Sequence, residues 1–161
     1  MEQYKLKKSL WTDGDFDIMG WHDATIHAIT WTESELIFDI DYIFMRVGPV
    51  EDGYYRFWIA PCTLVFENVW DADIDLGDLF ASDLEVLDIN RENPQRPRNA
   101  DFIGRDTEYD WMINTSVGEI RFKSVGYKQF VRALPILSQS PGLKNEERGG
   151  VSFDRISAGP E

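Results

Sequence analysis

What this chain has little of narrows its class before any motif is read. It holds one cysteine, Cys62, so no internal disulfide staples it, and a lone thiol fits a reducing compartment. It lacks the phosphate-cradling glycine loop, the dinucleotide fingerprint and the Gly-x-Ser-x-Gly elbow, so no cofactor is implied by its motifs. No apolar run approaches the roughly 20 residues of a membrane span, and the start MEQYKLKKSLW carries no apolar signal-peptide core. The expected location is therefore the cytoplasm, with no membrane partner. Positive charge is scarce as well: 16 Lys and Arg stand against 29 Asp and Glu, a formal net charge of −13. A field of that sign repels nucleic acid and draws basic protein surfaces, although acidity also serves solubility alone.

What is present points to a β-rich globule. Hydrophobic residues make up 43% and aromatics 14% of 161 residues, which excludes a disordered chain and predicts a single domain over 1–161. The stretch Trp21–Val47 reads as a β-hairpin, two apolar alternating runs around the polar break Thr32-Glu33-Ser34-Glu35. A loop of two or four residues pairs Trp31 with Leu36, Ile29 with Phe38, His27 with Ile40 and Thr25 with Tyr42 on an apolar face. Ala28 with Asp39 and Ile26 with Asp41 then make the opposite, half-wet face.

The hairpin ends at the turn Gly48-Pro49. Tyr54 to Trp70 is the most apolar run and belongs in the middle of a sheet, with Pro61 expected to break it into two segments. Asp71-x-Asp73-x-Asp75 opens like a calcium loop, but Leu76 stands where the sixth-position glycine belongs and Ser82 where the bidentate Glu belongs, so a solvated acidic turn is expected. The second half of Asp71–Glu92 reads as a strand, with a helical turn around Asp78–Asp83 as the alternative. Residues 93–106, with two prolines and three arginines, read as an exposed loop. Tyr109–Asn114 and Glu119–Val125 form a second hairpin with Ile120 and Phe122 facing in and Arg121 and Lys123 facing out. Tyr127–Leu134 fits a further strand or a short helix, and 138–161 is polar, Gly-rich and expected to be loosely ordered.

Candidate ligand-binding residues are few: His22, Asp23, Asp39, Asp41, Arg96 and Arg98. His22, Asp23 and His27 with the two later aspartates invite a metal. On a strand, however, Asp23 to His27 spans about 13 Å, and the paired register keeps His27 on the other face from Asp39 and Asp41. No metal ligand set is expected, although a loop of three or five residues would shift that register. Arg96 and Arg98, with Arg91 and Arg105, form a local basic cluster fit to grip an anion or a carboxylate.

His22-Asp23-Ala24-Thr25-Ile26, followed by a polar turn and Leu36-Ile37-Phe38-Asp39-Ile40, resembles the opening hairpin of several small bacterial β-rich families, including immunity proteins of polymorphic toxin systems. The resemblance covers residues 20–45. It implies a cytoplasmic binding protein without chemistry of its own, and no catalytic residue is carried over from it. Two further stretches, Phe57-Trp58-Ile59-Ala60-Pro61 and Arg148-Gly149-Gly150-Val151-Ser152-Phe153, look particular without declaring a role.

The expected fold is mainly β, an antiparallel sandwich or partly open barrel of roughly six to nine strands with at most one or two short helices. The expected function is a non-enzymatic interaction protein, an immunity-type inhibitor of a basic toxin. The competing expectation is a small-ligand- or metal-binding enzyme with a polar site at His22, Asp23, Asp39 and Asp41 in a barrel mouth. Monomer and homodimer both remain open, since six Trp and 10 Phe supply adhesive surface.

Overall fold

The computed structural model describes residues 3–158, and the last three residues of the stretch 138–161 lie outside it. Ten strands run in order: β1 (Leu10–Thr12), β2 (Thr25–Trp31), β3 (Leu36–Val47), β4 (Arg56–Glu67), β5 (Trp70–Leu76), β6 (Val86–Gln95), β7 (Glu108–Thr115), β8 (Gly118–Ser124), β9 (Gly126–Val131) and β10 (Ile136–Ser138). A 3₁₀ helix spans Asp13–Ile18, and two single-turn helices are α1 (Ala100–Ile103) and α2 (Asn145–Arg148). The strands form two antiparallel sheets and no closed barrel. A large sheet has the order β1-β9-β4-β3-β2, with β10 also on β4; a small sheet has the order β5-β8-β7-β6. Among the described residues no helix is long and apolar enough to cross a membrane.

The core lies where the alternation of both sheets converges. From the large sheet come Leu36, Phe38, Ile40 and Tyr42 of β3 and Cys62, Leu64 and Phe66 of β4; from the small sheet come Trp111, Ile113, Ile120 and Phe122. Phe66 is the hub, with ring centroids 4.7 Å from Phe122, 5.1 Å from Trp111 and 5.6 Å from Tyr127, the first two edge-on as ring quadrupoles favour. The second hairpin follows its pattern: Ile120 and Phe122 are buried, and Ser116 and Val117 form the two-residue turn between β7 and β8.

Two local expectations give way to tertiary context, and one open alternative is decided as strand. β4 runs unbroken through Pro61, which pairs with Asp41 of β3. The other side of β4 changes partner there, from β10 at Phe57–Ile59 to β9 at Cys62–Glu67, so the missing N–H falls where the ladder hands over. The acidic stretch Asp71–Asp75 is a strand, because alternate residues Ile74 and Leu76 line it up on β8. Tyr127 to Val131 is also strand, its alternate residues Tyr127, Gln129 and Val131 buried.

The decisive difference is a β-bulge in the first hairpin. Residues Ala28 to Trp31 pair as their pattern requires, Ala28 with Asp39 and Trp31 with Leu36, but beyond the bulge Ile26 meets Ile40 and Thr25 meets Asp41. One extra residue, His27, is absorbed, and an extra residue re-aims a side chain. Without it Ile26 would pair with Asp41 on the outer face; with it Ile26 is buried and His27 turns outward.

A third layer covers the outside of the large sheet. Residues 138–158, expected as loose, cross that face: Leu143 is buried against Phe57 and Ile59 with Ile43 beside them, and Thr63 donates to the Asp154 carbonyl at 2.6 Å. The stretch 93–106, expected as an exposed loop, contains the end of β6 and all of α1.

Candidate functional site

Asp39 and Asp41 sit two residues apart on β3, so both point to the outer face of the large sheet. Each is fully buried, against the expectation of a half-wet barrel mouth. A buried carboxylate is tolerated only when its oxygens are matched, and here the chain matches them itself. Arg148, delivered by α2, donates to both Asp39 oxygens from Nη2 at 2.6 Å and Nη1 at 2.9 Å, and from Nε to Asp41 Oδ1 at 3.0 Å. Arg132 adds 2.8 Å to Asp39 and 2.9 Å to the Thr63 hydroxyl. The backbone N–H of Ser152 reaches Asp39 at 3.0 Å and that of Leu143 reaches Asp41 at 2.8 Å.

His27 completes the group from the bulge. Its Nε2 donates to Asp41 Oδ2 at 2.6 Å, since an ionised carboxylate only accepts. Two acids and two arginines cancel. Burial alone would raise the Asp39 carboxyl, but the donors from Arg148, Arg132 and Ser152 more than offset it and hold it below the usual carboxylate range. Gly149 and Gly150 follow Arg148 with φ of 78° and 80°, a left-handed pair that returns the chain so that Arg148 and the Ser152 amide enter one pocket. This gives the Arg148-Gly149-Gly150 stretch a role that its composition alone did not declare. Cys62 lies on the opposite, core side of β4, where burial pushes its thiol well up and leaves it inert.

The other expected site residues go elsewhere. His22 is exposed, and its Nδ1 lies 3.0 Å from the Leu87 carbonyl; Asp23 takes Arg46 at 3.1 Å. No hydrogen bond or ion pair joins them to the Asp39–Asp41 group among the described residues. The four arginines disperse: Arg96 pairs with Asp101 at 2.7 Å, Arg98 stacks 4.0 Å over Trp70, Arg105 donates to the Val125 carbonyl, and Arg91 lies between Phe16 and Tyr109 at 4.4 and 4.5 Å. No anion grip is assembled. Among the described residues no three His, Cys, Asp or Glu side chains are grouped to hold a metal ion.

The open surface is the outer face of the small sheet. Cross-strand partners share a face, so Asp75 with Glu119, Asp73 with Arg121, Lys123 with Asp110, Glu92 with Asp110 and Asp88 with Asn114 all project there. Six acids (Asp73, Asp75, Asp88, Glu92, Asp110 and Glu119) stand against two bases (Arg121 and Lys123). Asn93 and Lys123 hold the Asp110 carboxyl below its usual range. The upper end of this face is closed by Trp70, whose Nε1 donates to buried Glu108 at 2.9 Å; below it a depression of about 330 Å³ is bordered by three acids, Asp71, Glu92 and Asp110, and three bases, Arg91, Arg121 and Lys123. Periodicity had placed Arg121 and Lys123 outward, but reading Asp71–Asp75 as a turn concealed that their neighbours would be acidic.

Comparison with family models, with curated proteins and with solved structures finds no match for the chain.

Proposed function

We propose that this protein is a non-enzymatic interaction protein that binds a basic protein partner, in the manner of an immunity-type inhibitor of a basic toxin, through the outer face of the small sheet. The observation that carries the reading is the imbalance of that face, six acids to two bases on an ordered and open sheet. Such a face accelerates encounter with a cationic surface and fixes its orientation, and it discriminates against acidic and nucleic-acid competitors. The competing reading, an enzyme built on Asp39 and Asp41, is disfavoured because both carboxylates are buried and already accept from Arg132, Arg148, His27 and two backbone amides. Neither carboxylate is accessible to solvent.

The test is native mass spectrometry of the tagged chain isolated gently from its own host's lysate at low salt. The expected result is a stoichiometric basic protein that dissociates as the ionic strength rises past the point where the Debye length falls below about 10 Å. A chain that retains no basic protein under those conditions overturns the reading.

A further inference from the structure

We propose that the free edge of β5 is the docking site within this interaction surface, and that its occupant is an extended segment of the partner that adds a strand there, alternating cationic with apolar residues. The proposal rests on the preceding reading and names the partner's chemistry.

Among the described residues β5 pairs only with β8, so its other edge carries backbone groups unmatched by them. Gly77 donates to the Val117 carbonyl, and in an antiparallel ladder bonded and non-bonded pairs alternate. Asp73 and Asp75 therefore bond toward β8, while Ile74 and Leu76 aim N–H and C=O outward. Side chains alternate with the same period. Asp73 and Asp75 project to the acidic face beside Arg121 and Glu119, whereas Ile74 shares the core face with Ile120 yet remains 41% exposed, because nothing lies beyond it.

On that side a mainly apolar groove of about 460 Å³ opens between β5 and the tip of the first hairpin, lined by Trp31, Leu36, Val69, Trp70, Ala72 and Ile74 with the polar Thr32, Glu35 and Asp71. Trp31 is 70% exposed at its rim. A strand laid on β5 would stand about 4.8 Å away and present one set of side chains to this groove and the other to Asp73 and Asp75. Apolar residues suit the first and Lys or Arg the second.

A second copy of this chain does not fit. Pairing β5 with β5 would set the aspartate rows of the two copies against each other, and like charges directly opposite destabilise a ladder. The row of acids thus opposes self-association while admitting a cationic strand.

The experiment is isothermal titration calorimetry of the full chain with a short capped peptide alternating lysine with valine, beside a control peptide of the same composition with its lysines gathered at one end. Binding of the alternating peptide alone is expected, weakened about tenfold or more by Asp73→Lys with Asp75→Lys, and weakened also by Trp31→Ala, with circular dichroism confirming that each variant is folded. Equal binding of the two peptides, no binding of either, or full binding by the charge-reversed variant overturns the proposal. So does a dimer of the chain alone that Trp31→Ala dissolves, which would assign the groove to a second copy. If the charge-reversed variant still retains the same basic partner from lysate, the edge is wrong and the interaction reading stands. If the parent chain retains no basic partner, the interaction reading fails, and the peptide titration still decides the edge.

Discussion

The same short pattern, Asp-x-Asp on a β-strand, occurs on both outer faces of this sandwich with opposite outcomes. On β3, Asp39 and Asp41 lie under a third layer, and two arginines, a histidine and two backbone amides consume their oxygens. On β5, Asp73 and Asp75 stay exposed, and Arg121, the base across from Asp73, turns instead to Glu119 at 2.8 Å. The difference lies in whether the chain carries its own cation to the strand. Buried pairs are matched because an unmatched buried charge costs several kcal/mol, whereas an exposed one is hydrated and costs almost nothing. The chain brings Arg132 and Arg148 to the buried pair and leaves Asp73 and Asp75 to water. The face left acidic is the one free to meet another molecule.

The sharpest way to break that contrast is to remove a cation from the covered face. Arg148→Ala deprives Asp39 of two donors and Asp41 of one, and it unties the only cationic side chain that 138–158 brings into the buried group. Urea denaturation is expected to show a loss of about 3 kcal/mol or more, the range for breaking a buried pair from one side. Cleavage of the C-terminal segment by a protease should precede global unfolding in this variant. A loss under about 0.5 kcal/mol, as at ordinary surface positions, would mean that the layer is held by Leu143 and its apolar neighbours alone.

Acid offers a gentler way to the same end. The folded Asp39 carboxyl titrates below its ordinary value of 3.8, because the Arg148, Arg132 and Ser152 donors outweigh burial. A depressed carboxylate contributes stability that is complete above the unfolded value and is lost as pH falls through the folded one. The urea midpoint should therefore decline below about pH 4, and Asp39→Asn should flatten that decline relative to the parent. An unchanged slope in the asparagine variant would assign the acid sensitivity to other carboxylates.

How much of this was legible in the sequence follows from range. Alternation within a strand is local, so the two hairpins, the central run of β4 and the outward Arg121 and Lys123 could be read directly. The fold class came from the same signal. The Asp39–Arg148 group was not legible, because its partners lie 109 residues apart and no local pattern joins them. One clue was present: two acids on the same side of a strand in the middle of the chain require cations from somewhere, and Arg148-Gly149-Gly150 is an arginine followed by the residues best able to reverse a chain. The histidine was misplaced for a different reason. A β-bulge shifts the register by one residue, and period-2 reasoning cannot see it. Asp71–Asp75 was misread because acid density outweighed the alternate Ile74 and Leu76, a preference that pairing with β8 overrides.

The smallest expected effect is the one that sharpens the contrast most. Asp73→Lys with Asp75→Lys reverses the same kind of pair on the open face, where Asp73 and Asp75 make no ion pair among the described residues and both side chains are solvated. Thermal and urea unfolding are expected to stay within about 0.5 kcal/mol of the parent, because exposed charges contribute little and the two reversals oppose each other, Asp75→Lys gaining Glu119 across from it and Asp73→Lys meeting Arg121. A loss above about 1 kcal/mol would mean that the acids of β5 serve the fold through Arg121 and Lys123, and that the two faces differ only in degree. Near-neutral stability means that folding places no demand on these charges. The row of acids is then available to the proposed partner at no cost to the fold.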